Sequence, residues 1–498
     1  MLSEATSLRE WLARRPPMIR AALFIAVAGW LAVNLLTLDR YPPARCDEAF
    51  WSEIAYHGWR EGRFGFDSHQ QYGVGFEQNV VPAGRLFELS IGLTQAVFGA
   101  GLWGSRFSSF LAGLAGAVIL YQLGRRMYSV RVGLLAAAIF GLSWRTVFHA
   151  HYARPEAWTA VAGVIVLWLL WRAVEQPTWV NGFLAGLGAA LAVDTYLPAM
   201  HFAVGAGLFV VVYFGRVRAW RIIAAFAAGG GLGLAYWLAA HLLPDPSIFT
   251  IQMFGVYVDR GATALGFDDP LSPITSLLRF YWQEFIQRSN YRDAFPGVYF
   301  LAGVLYTIFD RSHPSRLLIA YYGLATLAFA ILMPDKTWYT AMIWIPLLCL
   351  MTAVAIEGLP RHGGRYEGAL RAGLAAALLI VSAAGSLYLL HKFRHADFEG
   401  YARPLLEEVP ADAMLVAPLQ FWFVRQDHPF KPTRTLADLE ELVPAYVVAS
   451  PYWICLYRPD PEYDEVYPVL TRQCQYIAST EMEGYPPAEL FYCADLDP

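Results

Sequence analysis

Three short clusters of ionisable side chains stand at the edges of long apolar runs, and each holds residue types able to do chemistry. The first is Arg45-Cys46-Asp47-Glu48, the second runs from His149 through His151, Tyr152 and Arg154 to Glu156, and the third is Pro334-Asp335-Lys336-Thr337-Trp338-Tyr339. Asp47, Glu48 and Glu156 are the candidate catalytic carboxylates, because a carboxylate beside a hydroxyl can take its proton as that oxygen forms a new bond. Adjacent acids also suit the start of a helix, so a plain capping role stands beside the catalytic one. Lys336 is one of only three lysines in the chain. A compact ammonium at the mouth of a helical bundle suits a phosphate, whereas the plainer alternative is a lysine reaching for the membrane surface. His149 and His151 have a spacing that metal sites use, but no further ligands lie near them in sequence. Hydrogen bonding or an interfacial role is the stronger reading for both. Arg85, Arg106 and Arg154, with Tyr257, Asp259, Arg260, Arg279 and Arg288 of a later loop, add cations and aromatics to the same opening.

The elements that position these clusters are membrane spans. Of the 498 residues, 57% are apolar and only 16% charged, with a mean hydropathy of +0.38. Soluble domains carry about 25% charged residues. A net charge of −4 excludes a nucleic-acid role, which needs a basic face. A span needs roughly 20 mainly apolar residues. Such runs are found at Ala21–Leu38, Trp103–Leu123, Val132–Phe148, Ala157–Trp171, Trp179–Pro198, Phe202–Phe214, Ile222–Leu243, Phe295–Phe309, Leu317–Met333, Trp338–Glu357 and Ala372–Leu390. Gly229-Gly230-Gly231-Leu232-Gly233 has the look of a phosphate loop, but inside a span close helix packing explains it better.

Charge fixes the expected orientation. Arg9, Arg14, Arg15 and Arg20 precede the first span, which places the N-terminus in the cytoplasm as an uncleaved anchor. If the short segment Leu86–Ala100 lies along the outer surface, the arginine clusters at 125–131, 216–221, 311–316 and 361–371 all fall inside. If it crosses, all of them fall outside, against the rule for short loops. The expected fold class is a polytopic α-helical membrane protein of about eleven transmembrane helices, with outer-face juxtamembrane helices and a C-terminal soluble α/β domain. Residues 1–390 form the membrane domain, with outer loops at 39–102 and 244–294, and residues 391–498 form the outer domain. Long loops tend to carry function, and all of these lie on one face. The segment after Asp47 reads as an amphipathic helix lying on the membrane surface. In the tail, β-type runs at Ala413–Ala417 and Tyr446–Ser450 suggest an α/β sandwich. Cys455, Cys474 and Cys493 suit an oxidising compartment, with Cys474–Cys493 one plausible pairing.

These pieces, in their order and on their membrane side, resemble the GT-C glycosyltransferases of the protein-mannosyltransferase and aminoarabinose-transferase type, over approximately residues 20 to 390. The resemblance rests on Asp47-Glu48, on Trp103-Gly104-Ser105-Arg106 opening the second span and on Gly124-Arg125-Arg126-Met127-Tyr128 closing it. Ala153-Arg154-Pro155-Glu156 and the Lys336, Tyr339 and Pro346 pattern complete it. It implies an inverting enzyme that moves a sugar from a polyprenyl-phosphate donor, dolichyl or undecaprenyl, to an acceptor hydroxyl on a glycan, lipid or protein. Asp47 would be the general base or its close partner, with Glu48 beside it and Arg154 and Glu156 completing an acidic pocket. Lys336 and Tyr339 would face the lipid phosphate, and Arg85, His151, Tyr257 and Arg260 would contact substrate. Two positions depart from the family. Val81-Pro82-Ala83-Gly84-Arg85 stands where a Lys-Pro-Pro-Leu segment is common, so Arg85 is expected to supply the cation. Glu156 stands where an aspartate is usual. The resemblance fits a multi-pass protein of the bacterial inner membrane with an extracytoplasmic C-terminal domain, and it fits catalysis with a divalent metal or with none. The alternative is a transporter or flippase of polyprenyl-linked lipids or glycans. Such proteins usually show internal repeats and midplane sites, whereas here the polar residues gather at one face.

Overall fold

The computed structural model of the chain describes residues 8–13, 15–68, 75–81, 84–253, 272–287, 291–333, 338–358, 366–432, 436–451 and 463–496. The chain is mostly helical. Helix α1 (Pro17–Leu36) is followed by two helices of the first loop, α2 (Cys46–Glu61) and α3 (Arg85–Phe98). The bundle continues with α4 (Leu102–Met127), α5 (Val130–Leu142), α6 (Trp144–Ala150) and α7 (Glu156–Glu175). Then come α8 (Trp179–Val193), α9 (Met200–Arg216) and α10 (Trp220–His241). It closes with α11 (Tyr291–Phe309), α12 (His313–Leu332), α13 (Ala341–Gly358) and α14 (Glu367–Lys392).

Among the described residues, eight helices are long and apolar enough to cross a membrane. The α5–α6 pair passes the same test together, and α8 and the Phe295–Phe309 part of α11 are shorter apolar helices. Helices dominate because lipid offers no partner to a backbone N–H or C=O, and a helix satisfies its own. Ser129, Thr178 and Ser312 cap α5, α8 and α12 by accepting backbone N–H groups. The expected span Val132–Phe148 bends by 63° between α5 and α6. Ser143 adopts extended backbone at the break, and its N–H bonds back to Ile139 and Phe140. The glycine run pairs α10 with α8 as expected. A Cβ on Gly229 would sit 2.0 Å from the Phe183 carbonyl oxygen, and one on Gly186 would sit 1.9 Å from that of Phe226, so only glycine permits this approach.

Helix α3 is about 21 Å long at 1.5 Å per residue, too short to cross a 30 Å core. Its outward stripe of Leu86, Leu89, Leu93 and Val97 is exposed, while Phe87, Ile91, Gly92 and Gln95 are buried. Gly92 lets it close on Ala55 and Trp59 of α2. Helix α2, expected as an amphipathic helix at the membrane surface, packs its apolar face on protein. Trp51, Ile54, Ala55 and Tyr56 are buried in one apolar cluster with Phe87 and Ile91 of α3 and with Leu419, Phe421 and Trp422 of the tail. Trp51 and Tyr56 find protein partners on both sides, while Trp59 is exposed.

The tail begins with helix α15 (Phe398–Leu406) and builds a five-stranded mixed sheet. The strands are β1 (Leu415–Val416), β2 (Phe430–Lys431), β3 (Ala445–Ala449), β4 (Gln475–Met482) and β5 (Tyr485–Cys493), with α16 (Tyr463–Gln473) before β4. The order is β2-β1-β3-β5-β4. The β1 pairings are parallel and the β5 pairings antiparallel. A disulfide joins Cys474 to Cys493, and Cys46 is also disulfide-bonded. The tail docks on the first loop through several polar contacts. Tyr56 donates to Asp427 at 2.5 Å, Gln426 donates to the Ala100 carbonyl at 2.9 Å, and Lys431 donates to the Asp67 carbonyl at 2.8 Å.

Candidate active site

Two arginine–carboxylate groups meet where α1, α2, α4 and α7 converge. The inner one pairs Glu48 with Arg106, both wholly buried. Arg106 Nε donates to Glu48 Oε1 at 2.7 Å and Nη2 to Oε2 at 2.6 Å, in the bidentate geometry a planar guanidinium favours. The remaining lone pairs are also engaged: Oε1 accepts the Ala153 N–H at 3.0 Å and Oε2 the Arg45 N–H at 3.2 Å. Arg106 Nη1 reaches the Leu38 carbonyl at 2.9 Å. This pair therefore ties the end of the first span, the start of α2 and the residue before Arg154 into one knot.

The outer group is built on the rim of that knot. Arg154 Nη1 donates to Asp47 Oδ2 at 2.5 Å, while Nη2 and Nε donate to Glu156 Oε1 and Oε2 at 2.7 and 3.2 Å. Asp47 lies in the first turn of α2 and Glu156 in the first turn of α7, so both carboxylates face helix N-termini. The Arg154 guanidinium lies 3.9 Å from the centre of the Tyr339 ring and 5.7 Å from that of Tyr152. Burial works against its charge, but Glu156 and Asp47 hold it firmly protonated. Tyr152 donates weakly to Asp47 Oδ2 at 3.4 Å, and its ring stacks 5.9 Å from that of Tyr339. Arg45 donates to the Tyr339 hydroxyl at 3.3 Å and covers Phe148 and Tyr152. The Asp47 side chain is 30% exposed, against 11% for Arg154 and 1% for Glu156. Its Oδ1 meets no N–H or O–H donor among the described residues; the nearby Cys46 sulfur is oxidised and has no proton to give.

The sequence-derived candidates therefore divide. Asp47, Arg154, Glu156 and Tyr339 come together. Glu48, expected beside Asp47 as a catalytic carboxylate, turns inward and has no surface to offer, because residues adjacent in a helix point about 100° apart. His151, expected at substrate, is also wholly buried. Its Nδ1 lies 2.7 Å from the Val147 carbonyl and its Nε2 2.9 Å from that of Asn34, and burial pushes its pKa down to about 4. Arg85, the expected substitute cation, is buried at the start of α3. It donates to Asn79, and its guanidinium lies 4.2 Å from the Phe64 ring centre, with no contact to the Asp47 group among the described residues. Lys336, Tyr257 and Arg260 lie outside the described residues. Among the described residues no three His, Cys, Asp or Glu side chains converge as a metal site.

Sequence reasoning gave no role to Tyr152 or Arg45, although both stood inside the quoted clusters. It also passed over Asp194, which is wholly buried at the end of α8. Asp194 accepts the Leu86 N–H of α3 at 3.1 Å, His241 at 2.7 Å and Tyr236 at 3.1 Å. An acid inside a run expected to continue as a span, Trp179–Pro198, was the available signal.

Residues 85–244 match the family model described as dolichyl-phosphate-mannose-protein mannosyltransferase. No curated protein matches the chain by sequence. Solved structures do match by fold. The crystal structure of ArnT from Cupriavidus metallidurans bound to undecaprenyl phosphate superposes with a TM-score of 0.62 at 16% identity, covering 95% of this chain and 98% of that one. The arabinofuranosyltransferase AftD from Mycobacteria gives 0.56 at 16% identity, over 100% of this chain and 40% of that one. The Archaeoglobus fulgidus oligosaccharyltransferase, in complex with zinc and sulfate, gives 0.51 at 11% identity, over 93% and 72%. With its many apolar helices, its small C-terminal sheet and these matches, the chain is a multi-pass membrane protein with the fold of the GT-C glycosyltransferases.

Proposed function

We propose that this protein is an inverting glycosyltransferase that moves a sugar from a polyprenyl-phosphate donor to an acceptor hydroxyl at the outer face of the membrane. The observation that carries the reading is the half-open Asp47 carboxylate, held by Arg154 on an aromatic rim above an apolar bundle. A polyprenyl donor keeps its tail in lipid and its anomeric carbon at headgroup depth, and a rim site of this kind meets it there. In the proposed step the acceptor oxygen attacks the anomeric carbon from the face opposite the phosphate. The new C–O bond forms as the C–O bond to phosphate breaks, and its electron pair leaves on the phosphate. Asp47 Oδ1 takes the acceptor proton. Phosphate is already a good leaving group and needs cations rather than a protonating acid. Arg45 stands at the same rim to meet that charge, and Lys336, Tyr257 and Arg260 remain proposed donor contacts. Glu156 fixes Arg154, and Glu48 fixes the backbone that carries both groups.

The test is turnover of radiolabelled undecaprenyl- and dolichyl-phosphate sugars by the purified protein, with envelope extract as acceptor. Wild type should release the polyprenyl phosphate and label the acceptor. Asp47→Asn should lose about 10³-fold in rate, within the usual range for a general base, while still retaining undecaprenyl phosphate. Full activity in that variant would move the base to another residue. No transfer from any donor, with lipid crossing vesicle membranes instead, would establish the transporter.

A further inference from the structure

The segment that leads into α2 is gripped from the tail. The Tyr485 hydroxyl accepts the Ala44 N–H at 2.9 Å, a contact between residues 441 positions apart, and both residues are buried. The Tyr485 ring is pinned in turn, stacked 4.8 Å from Tyr401 and tilted 5.6 Å from Phe398. Tyr401 donates to the Pro486 carbonyl at 2.9 Å. Gly484 turns the chain from β4 into β5 at a φ of +94°, and a Cβ there would meet Ala396 at 3.0 Å and Pro43 at 3.5 Å. The tip of this hairpin thus sits on the strap that ends at Ala44. The strap is also held by Arg40, which donates to the Arg394 carbonyl at 3.0 Å, and by Tyr41, whose ring lies 5.7 Å from that of Phe393. Helix α2 begins two residues after Ala44, and Asp47 is its second residue.

We infer that Tyr485 is a positioning residue for Asp47: by fixing the Ala44 amide it sets where the first turn of α2 presents the carboxylate. The tail is then part of the catalytic unit rather than a tethered appendage. The inference rests on the proposed role of Asp47. Its physical basis is that a buried N–H deprived of its acceptor moves to find another. A small displacement of a catalytic carboxylate is enough to cost rate.

The experiment uses full-length protein in nanodiscs and two variants. Tyr485→Phe removes the acceptor for Ala44, whereas Tyr401→Phe removes the hydroxyl that bonds the neighbouring Pro486 carbonyl without touching the strap. Two readouts are taken: amide exchange of the peptides spanning residues 38–50, and kcat and KM with radiolabelled undecaprenyl-phosphate sugars. Tyr485→Phe should speed exchange in that segment and lower kcat by about 10-fold or more with KM for the donor little changed. Tyr401→Phe should alter the melting temperature alone. Unchanged exchange in Tyr485→Phe overturns the inference, and so does faster exchange with unchanged kcat, or equal kinetic effects from both variants. If wild type turns over no donor, the proposed function falls, and the exchange readout alone decides whether Tyr485 holds the strap.

Discussion

Two arginine–carboxylate pairs formed by adjacent residues, Asp47 and Glu48, behave as different objects. The contact distances hardly differ, 2.5 Å for Asp47 with Arg154 and 2.6 Å for Glu48 with Arg106. Their surroundings do. Glu48 and Arg106 have no exposed surface, and both Glu48 oxygens are filled by Arg106 and by backbone N–H groups. Asp47 keeps one oxygen clear of N–H and O–H donors among the described residues, and nearly a third of its surface is open. A buried pair is held in one arrangement, because either partner alone would be an uncompensated charge. A rim pair can exchange protein contacts for substrate. Burial, not separation, therefore sorts the structural pair from the chemical one.

The contrast is broken most sharply by truncation. Glu48→Ala leaves Arg106 buried and unpaired, a loss of about 3–5 kcal/mol for pairs of this kind. Little folded protein should accumulate, as read by the monodisperse yield in detergent. Asp47→Asn removes as much charge, yet it should purify normally and fail only in turnover. If the two variants lose yield equally, the division between the pairs collapses. A smaller effect sharpens the same comparison. Arg154→Lys keeps the charge, but an ammonium lacks the fork that serves Asp47 and Glu156 together. Folding should survive, with kcat for the radiolabelled donor falling by about 10²-fold, the scale of a misplaced catalytic group. Wild-type kcat in that variant would deny Arg154 its orienting role.

The apolar runs made the bundle legible because lipid admits only self-satisfied helices, and the glycine-flanked segment at 86–100 was legible as too short to cross. The clusters that hold Asp47, Arg154 and Tyr339 were legible because ionisable residues at membrane edges are costly. Which of two neighbouring acids points inward was not, since that depends on the rotation of α2 against α4. Nor was the bend at Ser143, because a serine within an apolar run is as compatible with a straight helix as with a break. Arg106 could be read from its motif, but its partner could not. Tyr485 was invisible altogether: a contact across 441 positions leaves no periodicity to read.

The smallest expected effect lies at the far end of α2 and asks whether the helix that carries Asp47 is held there by charge as well. His57 meets three carboxylates, with Nδ1 2.9 Å from Glu61 and Nε2 3.4 and 3.7 Å from Asp67 and Glu53. Arg63, on the loop after α2, faces the same group and pairs with Asp67 at 2.7 Å and Glu61 at 3.0 Å. Burial lowers the His57 pKa, but its hydrogen bonds to Glu53 and Glu61 outweigh burial and leave it above the ordinary 6.5. A pKa raised on folding stabilises the folded segment fully below the unfolded value, and that contribution is lost as pH rises through the folded value. Amide exchange of residues 62–68, corrected for intrinsic rates, should therefore show protection that weakens as pH rises above the ordinary histidine value of 6.5. In His57→Gln the protection should be lower at the acid end and independent of pH. An identical pH profile in the variant would leave the far end of α2 to its apolar packing on the tail, with the electrostatic asymmetry confined to the end that carries Asp47 and Glu48.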